Sequence, residues 1–513
     1  MVFPGHVYVP LVSGLTYLCV SGSAFLEANW YLANPNSGIE SSLTSHEGNV
    51  IHRQSQLSLA KSDTRYNAEK PNEDGVMLVT GGLYAPTIRY HEGVFYVVCT
   101  NILHDGPKDT SENFIVSTRD IWSGEWSDVV YFDFKGIDPS LLFDDDRKVY
   151  VQGSRGPGPM TKIANFQIDL ETGKKLSEER IIWEGTGGIY PEGPHIYKRK
   201  GWYYLMISEG GTHEGHMITM ARARDIWGPY EPCPDNPILT ARGTDEYIRC
   251  TGHCDAFEDE HGQWWGVCLG IRKDAEGRYI MGRESFLTRA HWDTEWLSFE
   301  QAKSDPIGLD RKTDLPILDA APNVDFLHIR DADLSKYSFA DSNGPIVLEA
   351  SPIDLSDGEK SPTFVGKRQR LLTGQTVAMI RPIAAWEPEM IKAGVAVYKD
   401  EHRYARIYYD AAAGEVAVEV TNNAKTISRH VGKKLDKALT GTGLALRLSY
   451  TEQQYVFQYA LEQSDGQREW VTIATTDTMD LTGPDFVGPV CGVFAVANGL
   501  ADTKVEFHDF QVK

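Results

Sequence analysis

The first half of this sequence repeats one hairpin-like pattern four times. The copies begin at Ile88, Leu141, His195 and Asp255, with spacings of 53, 54 and 60 residues. Each copy has a short apolar run, a charged or glycine-bearing turn, and a second run rich in aromatic and β-branched residues, as β-hairpins do. Repeats of about 40–50 residues with about four strands each are typical of a β-propeller. We therefore predict a propeller, and a sandwich with chance hairpins is the alternative.

The pattern changes around residues 305–325, where the chain becomes proline-rich and irregular, as linkers are. Beyond this segment, short alternating strands are separated by turns such as Ser342-Asn-Gly. These features predict a second all-β domain, most simply a sandwich. We place an atypical segment at residues 1–47, the propeller at 48–310 and the sandwich at 325–513.

Composition limits the partners and the compartment of the protein. Its 513 residues include 72 acidic and 50 basic side chains, a net charge of −22, which argues against nucleic acids and anionic membranes as partners. The odd count of seven cysteines favours buried free thiols over a disulfide framework. Only His6 precedes the apolar run that starts at Val7, whereas a signal peptide needs a basic leading segment, so we slightly favour a cytoplasmic over a secreted protein.

Two acidic residues precede strand-like runs in neighbouring repeats. Asp138 lies three residues before the run at Leu141, and Glu192 lies three residues before the run at His195. Because equivalent positions of a radial repeat converge on its axis, both carboxylates are expected to face one cavity, as acid/base hydrolysis requires. The alternative is that both are ordinary loop residues beside prolines.

Several ordered stretches carry a family resemblance: Gly81-Gly-Leu-Tyr-Ala-Pro, Asp138-Pro-Ser, Pro191-Glu-Gly-Pro-His, Ser208-Glu-Gly-Gly-Thr, Thr251-Gly-His-Cys-Asp, Gly282-Arg-Glu-Ser-Phe and Ser361-Pro-Thr-Phe-Val-Gly. Together they resemble glycoside hydrolase family 43, the β-xylosidase and α-L-arabinofuranosidase group with a C-terminal β-sandwich domain. The resemblance implies an all-β fold, a five-bladed β-propeller followed by a concanavalin-like β-sandwich. It also implies exo-acting, inverting hydrolysis that releases xylose or arabinofuranose from xylan-type oligosaccharides.

The resemblance also assigns roles to individual residues. Glu192 is implied to be the general acid, and Asp138 the residue that raises its pKa and orients it. The implied sugar-binding residues are Arg283, His253, Tyr84 and Phe364, the last on a loop that closes the −1 subsite. The residues alone leave other interpretations open. His253 and Tyr84 could equally be core residues, and Arg283 could be an ordinary surface arginine.

The sequence departs from the family at its first blade. Family members begin with an Asn-Pro-Asp-Pro-Ser-like segment whose Asp is the general base, whereas the similar Ala33-Asn-Pro-Asn has Asn36 there. No general base is identified, and the first blade is predicted to be incomplete. Two explanations are open. Either the N-terminal region is a truncated or misassembled reading of the gene, which we favour, or the lineage has lost the general-base Asp. In the latter case the chain would be a catalytically inactive carbohydrate-binding propeller.

The expected partners follow from these roles. The substrate is predicted to be a xylo-oligosaccharide or an arabinose-decorated glycan. No cofactor is expected to be required and no metal site is predicted; a structural Ca²⁺ would be compatible with the family, but no ligand pattern in the sequence supports it. The oligomeric state is left open.

Overall fold

The computed structural model describes residues 64–66, 78–80, 82–103, 110–119, 126–156, 158–259, 261–304, 326–330, 332–340, 344–358, 360–381, 391–435, 443–462, 468–483, 488–497 and 503–513. The described regular structure is β-strand apart from the short 3₁₀ helices Gly158–Met160, Leu334–Lys336, Asn423–Lys425 and Thr478–Asp480. None of the helices in these ranges is long and apolar enough to cross a membrane.

The N-terminal part of the described chain consists of antiparallel sheets that follow one another in sequence. A small sheet pairs β1 (Thr64–Tyr66) with β2 (Leu78–Thr80). Four larger sheets follow, with their strands in chain order except that β14 and β15 both pair with β13. Their strands are β3 (Gly82–His91), β4 (Val94–Leu103), β5 (Thr110–Thr118) and β6 (Val130–Phe132); β7 (Gly136–Phe143), β8 (Val149–Arg155), β9 (Lys162–Ile168) and β10 (Arg180–Trp183); β11 (Glu192–Arg199), β12 (Trp202–Glu209), β13 (Met217–Ala223), β14 (Glu231–Pro232) and β15 (Leu239–Thr240); and β16 (Ile248–Glu258), β17 (Trp264–Arg272), β18 (Arg283–His291) and β19 (Ser298–Phe299).

The four predicted hairpins are confirmed as the pairs β3–β4, β7–β8, β11–β12 and β16–β17. Successive sheets pack face to face, because strands buried on both sides carry near-continuous apolar runs. Between the sheets of β3 and β7, for example, the core contains the fully buried Val98, Val151 and Phe166. This stacking of meander sheets is the construction of a propeller.

The C-terminal part is a two-sheet sandwich, as predicted. Its strands are β20 (Tyr337–Phe339), β21 (Ile346–Glu349), β22 (Phe364–Arg368), β23 (Gly374–Arg381), β24 (Ile391–Asp400), β25 (Arg403–Asp410), β26 (Glu415–Asn422), β27 (Ile427–Lys434), β28 (Leu444–Tyr450), β29 (Gln454–Leu461), β30 (Val471–Asp477), β31 (Val490–Ala497) and β32 (Lys504–Val512). One sheet has the order β20-β21-β32-β23-β28-β29-β30 and the other β22-β31-β24-β25-β26-β27. Alternate residues of both sheets, such as Val395 and Phe457, form the shared core.

Polar contacts join the sandwich to the last propeller sheet. The Arg368 guanidinium on β22 donates to the carbonyl oxygen of Met281 at 2.5 Å, and the Tyr247 hydroxyl donates to Glu452 Oε1 at 2.5 Å. Met281 lies two residues before Arg283, so the sandwich contacts the segment that leads into a predicted site residue.

Candidate active site

The same β-bulge occurs in the first strand of each of the four larger propeller sheets. The bulge residues are Tyr84-Ala85, Ile137-Asp138, Glu192-Gly193 and Gly252-His253, where pairing with the second strand shifts register. The second residue of each pair is left-handed, with φ values of 39°, 55°, 55° and 45°. A bulge redirects side chains away from the ladder. Four of the predicted site residues therefore lie at one recurring backbone feature.

The bulges correct one sequence-based expectation. Asp138 was predicted to occupy the same repeat position as Glu192, but its structural equivalent is Gly193, and Glu192 is equivalent to Ile137. The two carboxylates are therefore offset by one residue. The proline after each left-handed residue, Pro139 and Pro194, shows the true alignment in the sequence.

The segment that carries Glu192 is held by the neighbouring sheet through three hydrogen bonds. Ser154 Oγ donates to the carbonyl of Pro191 at 2.7 Å, and Ser140 Oγ donates to that of Pro194 at 2.5 Å. Between them, the Gly193 N–H donates to Asp138 Oδ2 at 3.2 Å. The backbone on both sides of Glu192 is thus positioned before any ligand binds, as precise catalysis requires.

Glu192 is the accessible carboxylate of the pair. Its side chain is 20% exposed, and its Oε1 lies 3.4 Å from Nε2 of the fully buried His216. Burial raises the pKa of Glu192, but nearby His216, His253 and Arg283 outweigh burial and lower that pKa overall. A carboxyl group with this access can exchange a proton with a ligand in the cavity.

Asp138 is the enclosed carboxylate. It is 4% exposed, and its Oδ1 has no hydrogen-bond partner among the described residues. Burial, and then the charge of Glu192, raise the pKa of Asp138 well above its usual range. The two carboxyl groups are therefore electrostatically coupled, so that ionisation of one opposes ionisation of the other.

Two further predicted residues line the same region. Arg283 is 3% exposed and donates to Thr212 Oγ1, and burial lowers its pKa to about 10, so it remains cationic at neutral pH. The His253 backbone N–H donates to Ser208 Oγ. Burial lowers the pKa of His253 to about 4, which makes its ring neutral near pH 7.

The two predicted aromatic residues lie in different environments. Tyr84 is partly buried in the bulge of β3, at the position equivalent to Glu192. Phe364 is fully buried on β22, opposite Phe494 in register and with its ring centroid 5.8 Å from that of Tyr398. The Phe364 side chain packs with Tyr398 and Phe494 in an apolar cluster separate from the shared sandwich core, which the adjacent Val365 joins. Phe364 therefore lies on a strand and not on a loop, and its role in closing a sugar subsite stays a prediction.

Sequence reasoning missed the polar residues that hold this site together: His216, Thr212, Ser140 and Ser154. Their contacts join different sheets, so no local spacing reveals them. Ser140 and Thr212 had a signal, because Ser140 follows Asp138 in the Asp-Pro-Ser motif and Thr212 ends the Ser208-Glu-Gly-Gly-Thr motif. Asn36, the position expected to carry the general base, lies outside the described residues.

A second cluster of polar residues joins three of the propeller sheets. Asp255 Oδ2 accepts from Arg89 Nη1 at 2.6 Å, and Asp255 Oδ1 accepts from the Tyr197 hydroxyl at 2.6 Å. Arg89 Nη2 also lies 3.0 Å from His195 Nδ1. Burial raises the pKa of Asp255, but Arg89 and His195 reverse this effect and lower it overall. The cluster links β3, β11 and β16 by charge-assisted contacts.

Within the described ranges, no group of three or more His, Cys, Asp or Glu side chains has the arrangement of a metal site. The six cysteines of this part of the chain are buried free thiols, as predicted.

Comparisons with known proteins agree with this architecture. The family model "Glycosyl hydrolases family 43" matches residues 41–297, and "Beta xylosidase C-terminal Concanavalin A-like domain" matches residues 319–513. The chain is 32% identical over 445 residues to a non-reducing end alpha-L-arabinofuranosidase of Bacteroides ovatus, covering 83% of this chain and 80% of that protein. It is also 27% identical to a xylan 1,3-beta-xylosidase of a Vibrio species, covering 87% and 86% of the two chains.

A solved structure gives the same result. The Bacteroides ovatus protein "Xyloglucan PUL GH43B" matches with a TM-score of 0.70 and 30% identity over 84% of this chain and 86% of that one. The sheets, the sandwich and the two domain matches agree, and the chain belongs to glycoside hydrolase family 43, with a concanavalin A-like domain of the β-xylosidase type.

Proposed function

We propose that this chain is an exo-acting, inverting glycoside hydrolase that releases xylose or arabinofuranose from xylan-type oligosaccharides. The observation that carries the proposal is the partly exposed Glu192, held by three hydrogen bonds beside the buried Asp138. The names of the relatives, an arabinofuranosidase and a xylosidase, support a pentose as the released sugar.

In this proposal Glu192 is the general acid, which protonates the leaving oxygen, and Asp138 tunes and orients it. A like charge nearby makes ionisation of a carboxyl group harder, and here the raised pKa falls on Asp138, so the two carboxyl groups share a proton that Glu192 can deliver. Arg283 and His253 bind sugar hydroxyls, and Tyr84 provides a stacking surface. No cofactor takes part.

Inversion also requires a second carboxylate, about 6.5–9.5 Å from the acid, to activate water. We do not assign this base to any described residue. The segment before Gly48, where the resemblance places it, lies outside the described residues.

The test is the turnover of aryl β-D-xylosides and α-L-arabinofuranosides by the wild type and by Glu192→Gln. We expect a loss of about 10²–10⁴-fold, the usual contribution of general acid catalysis. Glu184→Gln is the matched control, because Glu184 lies on the same loop and pairs with Lys162 on the surface. Proton NMR of the first product should show the inverted anomer. Unchanged turnover in Glu192→Gln would disprove the assignment.

The second candidate is a carbohydrate-binding protein without catalysis. It is favoured by Asn36, since a neutral amide cannot accept a proton from water at working pH. Calorimetry with xylobiose distinguishes the two functions: saturable binding without Glu192-dependent release of sugar would support binding alone.

A further inference from the structure

A histidine outside the predicted site contacts the proposed acid. His216 immediately precedes β13 and is fully buried. Its Nδ1 lies 3.1 Å from the carbonyl oxygen of Cys250, and its Nε2 lies 3.4 Å from Glu192 Oε1. Nε2 makes no hydrogen bond within the described residues, and the Glu192 carboxyl group lies at ion-pair distance from it.

The chemistry of these two neighbours determines where the protons are. A carbonyl oxygen can only accept, so Nδ1 must carry a hydrogen. A carboxylate oxygen also only accepts, so a favourable contact at Nε2 requires a second ring hydrogen while Glu192 is ionised. A ring that donates to both neighbours would carry a hydrogen on each nitrogen, the form that best matches an ionised Glu192 in a buried setting.

The backbone next to His216 leaves space for its ring. Gly252, the first residue of the β16 bulge, faces it so closely that an added Cβ would lie 2.3 Å from ring atoms of His216. The absence of a side chain at this bulge is therefore what allows His216 to reach Glu192.

We propose that His216 is a positioning residue for the general acid, an inference that rests on the function proposed above. In the reacting state the ring of His216 carries a hydrogen on both nitrogens, and Glu192 carries its own proton on Oε2. When the bond between the sugar carbon and the leaving oxygen breaks, that oxygen takes the Oε2 proton of Glu192. Glu192 becomes a carboxylate, and the Nε2–H of His216 stabilises it by donating to Oε1. His216 thus makes Glu192 a stronger acid and holds its Oε1 in place.

Other charged groups also face this pair. Glu192 interacts with Asp138 of β7, His253 of β16 and Arg283 of β18, and His213 lies in the same turn as His216. Because Arg283 remains in every variant proposed below, a change seen on substituting His216 is not a loss of all positive charge around the acid.

The first experiment compares leaving groups. In His216→Leu we expect kcat to fall about 10–100-fold for a poor leaving group such as 4-methylphenol, the loss expected for one charged hydrogen bond. For 2,4-dinitrophenol, which needs little protonation, kcat should barely change, and the alkaline limb of the pH profile should move upward. His216→Gln retains an N–H donor and should recover part of the loss. His213→Gln is the matched control and should behave as the wild type.

An equal loss with both leaving groups and an unmoved alkaline limb would overturn the inference while leaving the proposed function intact. The function itself fails if Glu192→Gln is fully active or if the wild type binds sugar without releasing it.

The second experiment does not depend on turnover. Side-chain nitrogen NMR, assigned with His216→Gln, should show both ring nitrogens of His216 protonated in the wild type at pH 6. In Glu192→Gln the neutral amide supplies no counter-charge, and Nε2 should lose its hydrogen at a lower pH than in the wild type. A neutral His216 in the wild type, or one insensitive to Glu192→Gln, would contradict the inference.

Discussion

The backbone N–H of Gly193 donates to Asp138 Oδ2 at 3.2 Å, which ties the residue after Glu192 to a carboxylate of the preceding sheet. The proposed acid is therefore positioned through the main chain of its neighbour. Asp138 is therefore both the charged neighbour of Glu192 and the residue that holds its backbone in place. Substitutions at Asp138 and Gly193 should consequently affect both stability and activity.

Asp138→Asn should stabilise the fold at neutral pH while lowering activity. The pKa of Asp138 is raised in the folded state, so its favourable contribution is present below its unfolded pKa and is lost as pH rises through the folded pKa. A neutral amide avoids that loss, and we expect a gain of about 1 kcal/mol, or about 1 °C in Tm, for a chain of this size. Thermal unfolding at pH 4 and pH 8 measures it, and exposed Asp145→Asn is the control. A gain that is the same at both pH values would contradict the argument.

Gly193→Ala should disrupt the site although it adds only one methyl group. Gly193 has φ +55°, and an added Cβ would lie 2.5 Å from the His253 ring. Gly201→Ala is a matched control, because Gly201 has φ +73° and its nearest neighbour would be Arg224 at 3.5 Å. Both variants should lose about 1–2 kcal/mol from the left-handed backbone. Only Gly193→Ala should also lose activity, measured as kcat/KM; equal activities would show that the His253 contact is unimportant.

Arg89→Met should destabilise the propeller strongly, because it leaves the buried Asp255 without its main counter-charge. Removing one partner of a buried ion pair typically costs about 3–5 kcal/mol. The double variant Arg89→Met/Asp255→Asn should recover part of that loss, since it removes the unpaired charge as well. Urea unfolding of the wild type, Arg89→Met, Asp255→Asn and the double variant gives the coupling energy, and additive effects would disprove coupling.

Two buried histidines should make the fold sensitive to acid. Burial lowers the pKa of His195 to about 3 and that of His253 to about 4, whereas both should titrate near 6.5 when unfolded. Between those values the unfolded chain binds more protons, so stability must fall as pH falls below 6.5. Each ring contributes up to about 1.4 kcal/mol per pH unit. His253→Gln should make the dependence shallower, whereas exposed His291→Gln should not.

The sequence by itself specified the hairpins, because the alternation of apolar and polar residues and the turn residues are local properties. The spacing of the copies at Ile88, Leu141, His195 and Asp255 was sufficient to predict a propeller. Asp138, Glu192, Arg283 and His253 could be named because each lies in a distinctive short motif. The position of Phe364 on a strand could not be predicted, because its neighbours Phe494 and Tyr398 are distant in sequence and only strand pairing brings them together.

Tertiary structure decided how the site is held together. The one-residue offset between Asp138 and Glu192 arises from the bulges, which are defined by pairing between strands rather than by residue type. His216 meets Glu192 only because β11, the turn before β13 and β16 are adjacent in the folded chain, and because Gly252 leaves room for its ring. Local sequence sets strands and turns through short-range sterics and hydrophobic patterning. The protonation and orientation of buried groups depend on contacts between sheets, which form only in the folded protein.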